Sequence, residues 1–127
     1  MSGRPALSKG EMEVARVLSD LKKATVREVH DAFPAARAID FTTVQTYLRR
    51  LETKGYVKAE LDGRTRVYTL RVKLRTVIRE TLDDLIDRLF DGEALPLVRH
   101  LIEERSVSND DLAELRELID RLEKGRS

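Results

Sequence analysis

The chain has 127 residues, of which 41% are hydrophobic and 37% charged, with no cysteine and a formal net charge of +1. That size and polarity describe one modest domain or two small ones in a soluble, helix-rich protein, and no apolar run approaches membrane-spanning length, so no membrane insertion is expected. The missing cysteine excludes zinc fingers, cysteine nucleophiles, iron–sulfur ligation and disulfides; the opening Met-Ser-Gly-Arg-Pro-Ala-Leu lacks a signal-peptide core, so a cytoplasmic protein is expected.

In chain order, Ser8-Lys9-Gly10-Glu11 is a capping box, with Leu7 and Met12 at the positions of a hydrophobic staple. The helix it opens carries Met12, Ala15, Leu18 and Leu21 as a core stripe, widened by Val14 and Val17, and ends at Lys22-Lys23. Thr25-Val26-Arg27-Glu28 is a second capping box. It opens a short helix burying Val26, Val29 and Phe33 before Pro34 stops it, and Thr25 marks a helix N-terminus suited to a phosphate. Pro34 to Ile39 reads as a loop.

The stretch from Asp40 to Gly55 places Phe41, Val44, Leu48 and Leu51 at helical spacing as one buried stripe. Thr42, Thr43, Gln45, Thr46, Arg49 and Arg50 take the other faces. Thr and Gln both donate and accept hydrogen bonds, and Arg forks onto guanine or phosphate, so this outer set suits base edges and backbone. Thr42 and Gln45 fit a capping box equally well, with Asp40 the competing cap.

After Gly55, Val57 to Leu61 and Arg66 to Leu70 both alternate, and Asp62-Gly63-Arg64-Thr65 between them has hairpin turn chemistry. Three helices followed by a two-stranded ribbon make a winged helix. Arg64 and Arg66 lie at the ribbon tip, where a wing meets the backbone or minor groove; Tyr68 and Leu70 close the core.

Further on, Leu74, Ile78, Leu82, Leu85 and Leu89 form one apolar seam, with Val77, Ile86 and Phe90 beside it. Asp91-Gly92 ends this helix. A short helix follows with Leu97, Val98, Leu101 and Ile102, and Pro96 in its first turn. Ser108 to Asp111 then caps a last helix with Leu112, Leu115, Ile119 and Leu122 at heptad spacing. A segment this short does not bury so much apolar surface alone, so Ile78, Leu82, Leu85, Leu89, Leu112, Leu115, Ile119 and Leu122 are expected to join two copies; docking onto the winged helix is the alternative.

The net charge hides a division. Residues 1 to 72 carry 14 Lys and Arg against 9 Asp and Glu, whereas residues 73 to 127 carry 10 against 14. A basic first part suits a polyanion, and an acidic second part faces away from one. The expected architecture is therefore mainly α with a small β-hairpin wing: a winged helix-turn-helix domain over 1–72 and a C-terminal helical dimerisation module over 73–127. His30 and His100 have no ligand-spaced partners, and no phosphate loop or catalytic triad occurs, so a non-enzyme without metal or cofactor is expected.

The run from Phe41 to Val57, with Val67-Tyr68-Thr69-Leu70 after the turn, resembles the signature of the BlaI/MecI/CopY penicillinase-repressor family. Leu7 to Val14 and Thr25 to Val29 resemble it as well. The resemblance implies a dimeric winged-helix repressor of promoters, with DNA contacts at Thr43, Thr46 and Arg50 and a C-terminal dimer. It also implies a membrane-linked sensor protease as partner, cutting an Asn-Phe bond at a position that is His100-Leu101 here. The cysteine-rich metal motif of CopY-type members is absent.

A homodimeric, sequence-specific repressor of double-stranded DNA is thus the expected function, with helix 42–54 in the major groove and wing 62–66 on the backbone or minor groove of a pseudo-palindromic operator. The alternatives are a winged-helix protein-interaction module, whose binding would be insensitive to salt, and an RNA-binding winged helix.

Overall fold

Ser8 and Thr25 start the first two helices by the same local exchange of hydrogen bonds. In the computed structural model, which describes residues 4–126, the Glu11 amide donates to Ser8 Oγ at 3.2 Å and the Ser8 amide to Glu11 Oε1 at 2.7 Å. Thr25 and Glu28 repeat the pattern at 3.1 and 2.9 Å. These caps open α1 (Lys9–Leu21) and α2 (Val26–Ala32). A 3-10 turn at Ala35–Arg37 then leads to α3 (Phe41–Thr53).

The third helix begins two residues earlier than a Thr42 capping box requires. Asp40 holds the N-cap position and makes no side-chain cap bond, so Thr42 and Gln45 are ordinary helical residues with side chains left for other work. At the other end Gly55, with φ of 88°, closes a Schellman motif. Its amide donates to the Glu52 carbonyl and that of Tyr56 to the Leu51 carbonyl, at 3.1 and 2.9 Å.

The hairpin is β2 (Val57–Asp62) and β3 (Thr65–Leu70), joined by Gly63-Arg64 with Gly63 at φ of 65°. The sheet is three-stranded rather than two: β1 (Lys23–Ala24) pairs antiparallel with β3, Lys23 opposite Thr69 and Ala24 opposite Tyr68, in the order β1-β3-β2. Two residues are too short for alternation to reveal, and only the arrival of β3 gives them hydrogen-bonding partners.

Val14, Leu18, Val29, Val44, Leu48, Leu51, Val57 and Tyr68 make the buried core of α1, α2, α3 and the sheet. Two expected core residues lie outside it, since Leu21 and Phe41 are exposed, Phe41 by 36%. A third helix face contains a surprise: Glu11 is only 1% exposed. Lys54, at the end of α3, answers it with Nζ 2.6 Å from Glu11 Oε1 and 2.9 Å from the Ala6 carbonyl. Burial pushes the Glu11 carboxyl up, but the Lys54 hydrogen bond, the Ser8 amide and the ammonium charge together hold it below the ordinary carboxylate range.

The chain then forms α4 (Leu74–Phe90), α5 (Ala94–Glu104) and α6 (Asn109–Arg126). Pro96 falls in the first turn of α5, and Ser108 Oγ accepts the Asp111 amide at the start of α6. Two compact units result, with the break between Asp84 and Leu85, later than 72/73 and inside α4. The first unit therefore includes Val77, which is 2% exposed, and Leu74, which packs on the same core. Ile78 and Leu82 are exposed on that part of α4. In the second unit no described residue is buried. Leu85, Leu112 and Leu115 are half-buried, while Leu89, Ile119 and Leu122 are exposed, Leu89 by 66%. An apolar cleft of about 700 Å³ runs between α5 and α6, with Leu101, Ile102 and Leu115 in its wall and Asp111, Glu114 and Glu117 on its rim.

Two tests follow from the α1–α3 contact. A Cβ at Gly10 would overlap the Tyr47 ring of α3, so Gly10→Ala should destabilise by about 1–3 kcal/mol in thermal unfolding; with Tyr47→Ala present the same change should stabilise, by up to about 1 kcal/mol, through helix propensity. Glu11→Gln should cost about 1.5–3 kcal/mol at neutral pH by weakening charged hydrogen bonds. Because the folded carboxyl titrates below its unfolded value, that gap is present above the ordinary carboxylate range and should close as pH falls through the folded value.

Candidate nucleic-acid interface

The expected DNA-binding residues gather around two concavities that share one side chain. The first, a cleft of about 500 Å³, lies between the start of α2, one face of α3 and the wing; Thr25, Gln45, Arg49, Arg64 and Arg66 all line it. The second, about 300 Å³, lies along the next face of α3 and is lined by Thr46, Arg49 and Arg50, with Thr53 and Lys54. Arg49 belongs to both. Thr42 is exposed and Thr43 half-buried on the first turn of α3, and neither lines these two clefts.

Helical geometry explains the division. Positions 41, 45 and 49 repeat every four residues and face the wing, whereas 42, 46 and 50 lie beside them. The buried row of Val44, Leu48 and Leu51 anchors the opposite side. One helix thus offers two polar rows at fixed angles to its packing face.

The charges differ in how free they are. Arg66 is tied: its Nη2 donates to both Glu52 carboxylate oxygens at 2.8 and 3.0 Å, and its Nε to Tyr68 Oη at 3.3 Å. The Tyr68 hydroxyl first, and then the Glu52 charge, raise the Arg66 pKa. Arg66 therefore braces the wing against α3 instead of standing loose at its tip. Arg37, in the loop before α3, is held in the same way by a two-pronged bond to Glu13 of α1, at 2.8 and 2.9 Å. By contrast, among the described residues no carboxylate pairs with Arg27, Arg49, Arg50 or Arg64. Unpaired guanidiniums around these two clefts make an electropositive surface that suits a polyanion.

Thr25 is placed on the cleft, but its capping box already uses its hydroxyl and its amide, and brings the Glu28 carboxylate to the start of α2. That reduces what this helix terminus offers an anion. Two residues escaped the sequence reading. Phe41 is on the cleft wall instead of in the core, and Arg27 stands beside it. The available signal was Arg27 itself, a cation in the first turn of a helix, where the macrodipole disfavours positive charge.

The family model described as penicillinase repressor matches residues 7–121. The penicillinase repressor of Bacillus licheniformis is 25% identical over 116 residues, covering 91% of each chain. The methicillin resistance regulatory protein MecI of Mammaliicoccus sciuri is 24% identical over 115 residues, 91% of this chain and 94% of that one. Among solved structures, the DNA-binding domain of the repressor BlaI is 30% identical with a TM-score of 0.50, covering 57% of this chain and 88% of that one.

Gln45 provides the test of this surface. As it does not cap α3, Gln45→Ala should leave stability within about 0.5 kcal/mol, whereas Thr25→Ala, which removes a real cap, should cost about 0.5–2 kcal/mol. If Gln45 reads a base, selection of random duplexes with the variant should relax one position, by roughly 1–3 kcal/mol of discrimination. A parent-like selected sequence would remove Gln45 from the interface.

Proposed function

Because the chain belongs to the penicillinase repressor family of winged-helix DNA-binding transcriptional repressors and is not an enzyme, we propose that it acts in the cytoplasm as a homodimer on a pseudo-palindromic operator. In this reading α3 lies in the major groove, where Thr42, Thr43, Gln45, Thr46, Arg49 and Arg50 share base and phosphate contacts. Arg64 takes the backbone or minor groove from the wing, with Arg66 mainly holding that wing in position. The observation that carries the proposal is the pair of clefts meeting at Arg49, lined by polar side chains and unpaired arginines.

The dimer rests on a separate fact. From Leu85 to Arg126 no side chain is buried, yet Leu89, Leu118, Ile119 and Leu122 are exposed. A unit without a core of its own needs a partner surface, and a second copy supplies a self-complementary one. With Ile78 and Leu82 of α4, these residues and the α5–α6 cleft are our proposed contact between protomers. His100 and Leu101 lie in the middle of α5, both exposed. A cut there by a membrane-linked sensor protease would need α5 to open locally, and would disrupt the cleft wall without touching a DNA-facing residue. No helix among the described residues is long and apolar enough to cross a membrane.

Exposed apolar residues allow a clean test in the full chain. Ile119→Asp with Leu122→Asp should leave the winged helix folded, turn the dimer to monomer in sedimentation, and weaken operator binding on the order of 100-fold or more, because the second half-site contact ceases to be intramolecular. A variant that stays dimeric, or a monomer that keeps the parent's affinity, would defeat the proposal.

A further inference from the structure

The Arg27 guanidinium lies over the Phe41 ring, 5.2 Å from its centroid. Each partner occupies a place its own helix disfavours. Arg27 is the second residue of α2, against the positive end of the macrodipole. Phe41 is the first residue of α3, with an aromatic ring left open on the wall of a polar cleft. Together they make sense of one another: the cation lies on the ring's negative face, and the ring gains a polar cover.

The platform under Arg27 is itself held. His30 packs its ring edge on Phe41, with centroids 6.0 Å apart. The His30 ring lies between two acceptors, Nε2 3.0 Å from the Ile39 carbonyl and Nδ1 3.0 Å from Asp31 Oδ1, and each neutral tautomer donates to one of them. A cation over a ring uses none of its N–H groups as hydrogen-bond donors there, and among the described residues nothing accepts those of Arg27. Arg27 belongs to the same cleft as Arg49 and Arg64, so three unpaired guanidiniums from α2, α3 and the wing surround one space.

We propose that Arg27 is a backbone-phosphate clamp of the DNA interface and that Phe41 is a positioning residue that holds the clamp by stacking. The inference rests on the DNA-binding reading above and adds to it a contact of stated chemistry. A phosphodiester is the ligand that fits, because it accepts edge hydrogen bonds from a planar guanidinium and carries the charge these arginines lack. Such a contact positions the protein on any sequence and reads none.

The test uses the full-length protein and a duplex obtained by selection, with affinity measured over a series of salt concentrations. Arg27→Ala should weaken selected and scrambled duplexes by the same factor and flatten the log–log salt slope by about 1 for each clamp lost. Phe41→Leu, which removes no charge, should flatten the slope in the same direction, and Phe41→Tyr should restore it, with thermal unfolding confirming that each variant is folded. A parent-like slope in Arg27→Ala overturns the clamp. A parent-like slope in folded Phe41→Leu overturns the positioning role, as does a loss confined to the selected duplex that vanishes when one thymine is replaced by uracil, which would make Phe41 a reader of a thymine methyl. A parent that binds no duplex overturns the DNA-binding reading itself, and the clamp with it.

Discussion

Glu11 carries a carboxylate into a site that is almost closed to water, and the surrounding fold is arranged to answer that charge. A buried charge without a partner costs several kcal/mol, so the group tolerates only a geometry in which Lys54 and the Ser8 amide reach it together. Ser8 is the N-cap of α1 and Lys54 the C-cap of α3. One interaction therefore joins the entry of the first helix to the exit of the third, while Gly10 lets the Tyr47 ring lie against the α1 backbone. The apolar contacts of Val14, Leu18, Leu48 and Leu51 supply most of the stabilisation between these helices. They are non-directional, however, and it is the ion pair and the glycine that restrict how α3 slides and turns.

The same economy governs the arginines. Arg37 and Arg66 each form a forked bond to a glutamate on a neighbouring element, and so hold the loop before α3 and the wing after it. Exposed pairs of this sort add little to stability, and their value lies in orientation. Among the described residues Arg27, Arg49, Arg50 and Arg64 have no such partner, and they surround the two clefts. Pairing thus sorts the cations into those that brace neighbouring elements and those that leave their charge unanswered on the cleft surfaces. Net charge over the first part of the chain does not distinguish the two groups.

The C-terminal unit follows a different logic. Its helices start and stop at local signals, Asp91-Gly92, Pro96 and Ser108, yet none of its described residues is buried. Helix formation there depends on burial it does not supply itself. In the dimer proposed above, such a unit would couple its own folding to association, and breaking that dimer would leave the surface of α3 unaltered.

What the sequence determined by itself was whatever is written within a few residues. The capping boxes at Ser8 and Thr25, the stop at Gly55, the hairpin turn at Gly63, the apolar row Val44-Leu48-Leu51 and the polar faces beside it all follow from local hydrogen bonding, backbone preference and helical spacing. The family signature across α3 and the wing was legible for the same reason. Tertiary structure alone decided that Lys23 and Ala24 are a strand, since their partners Thr69 and Tyr68 lie far along the chain. It alone turned Glu11 inward, and put Phe41 on a cleft wall under Arg27 although its spacing matches the core row. Thr42 and Gln45 match a capping box in spacing, but the chain enters α3 at Asp40, held by the Arg37–Glu13 bond and by His30 on the Ile39 carbonyl. In each case the deciding energy comes from residues distant in sequence, and spacing within one segment carries no record of it.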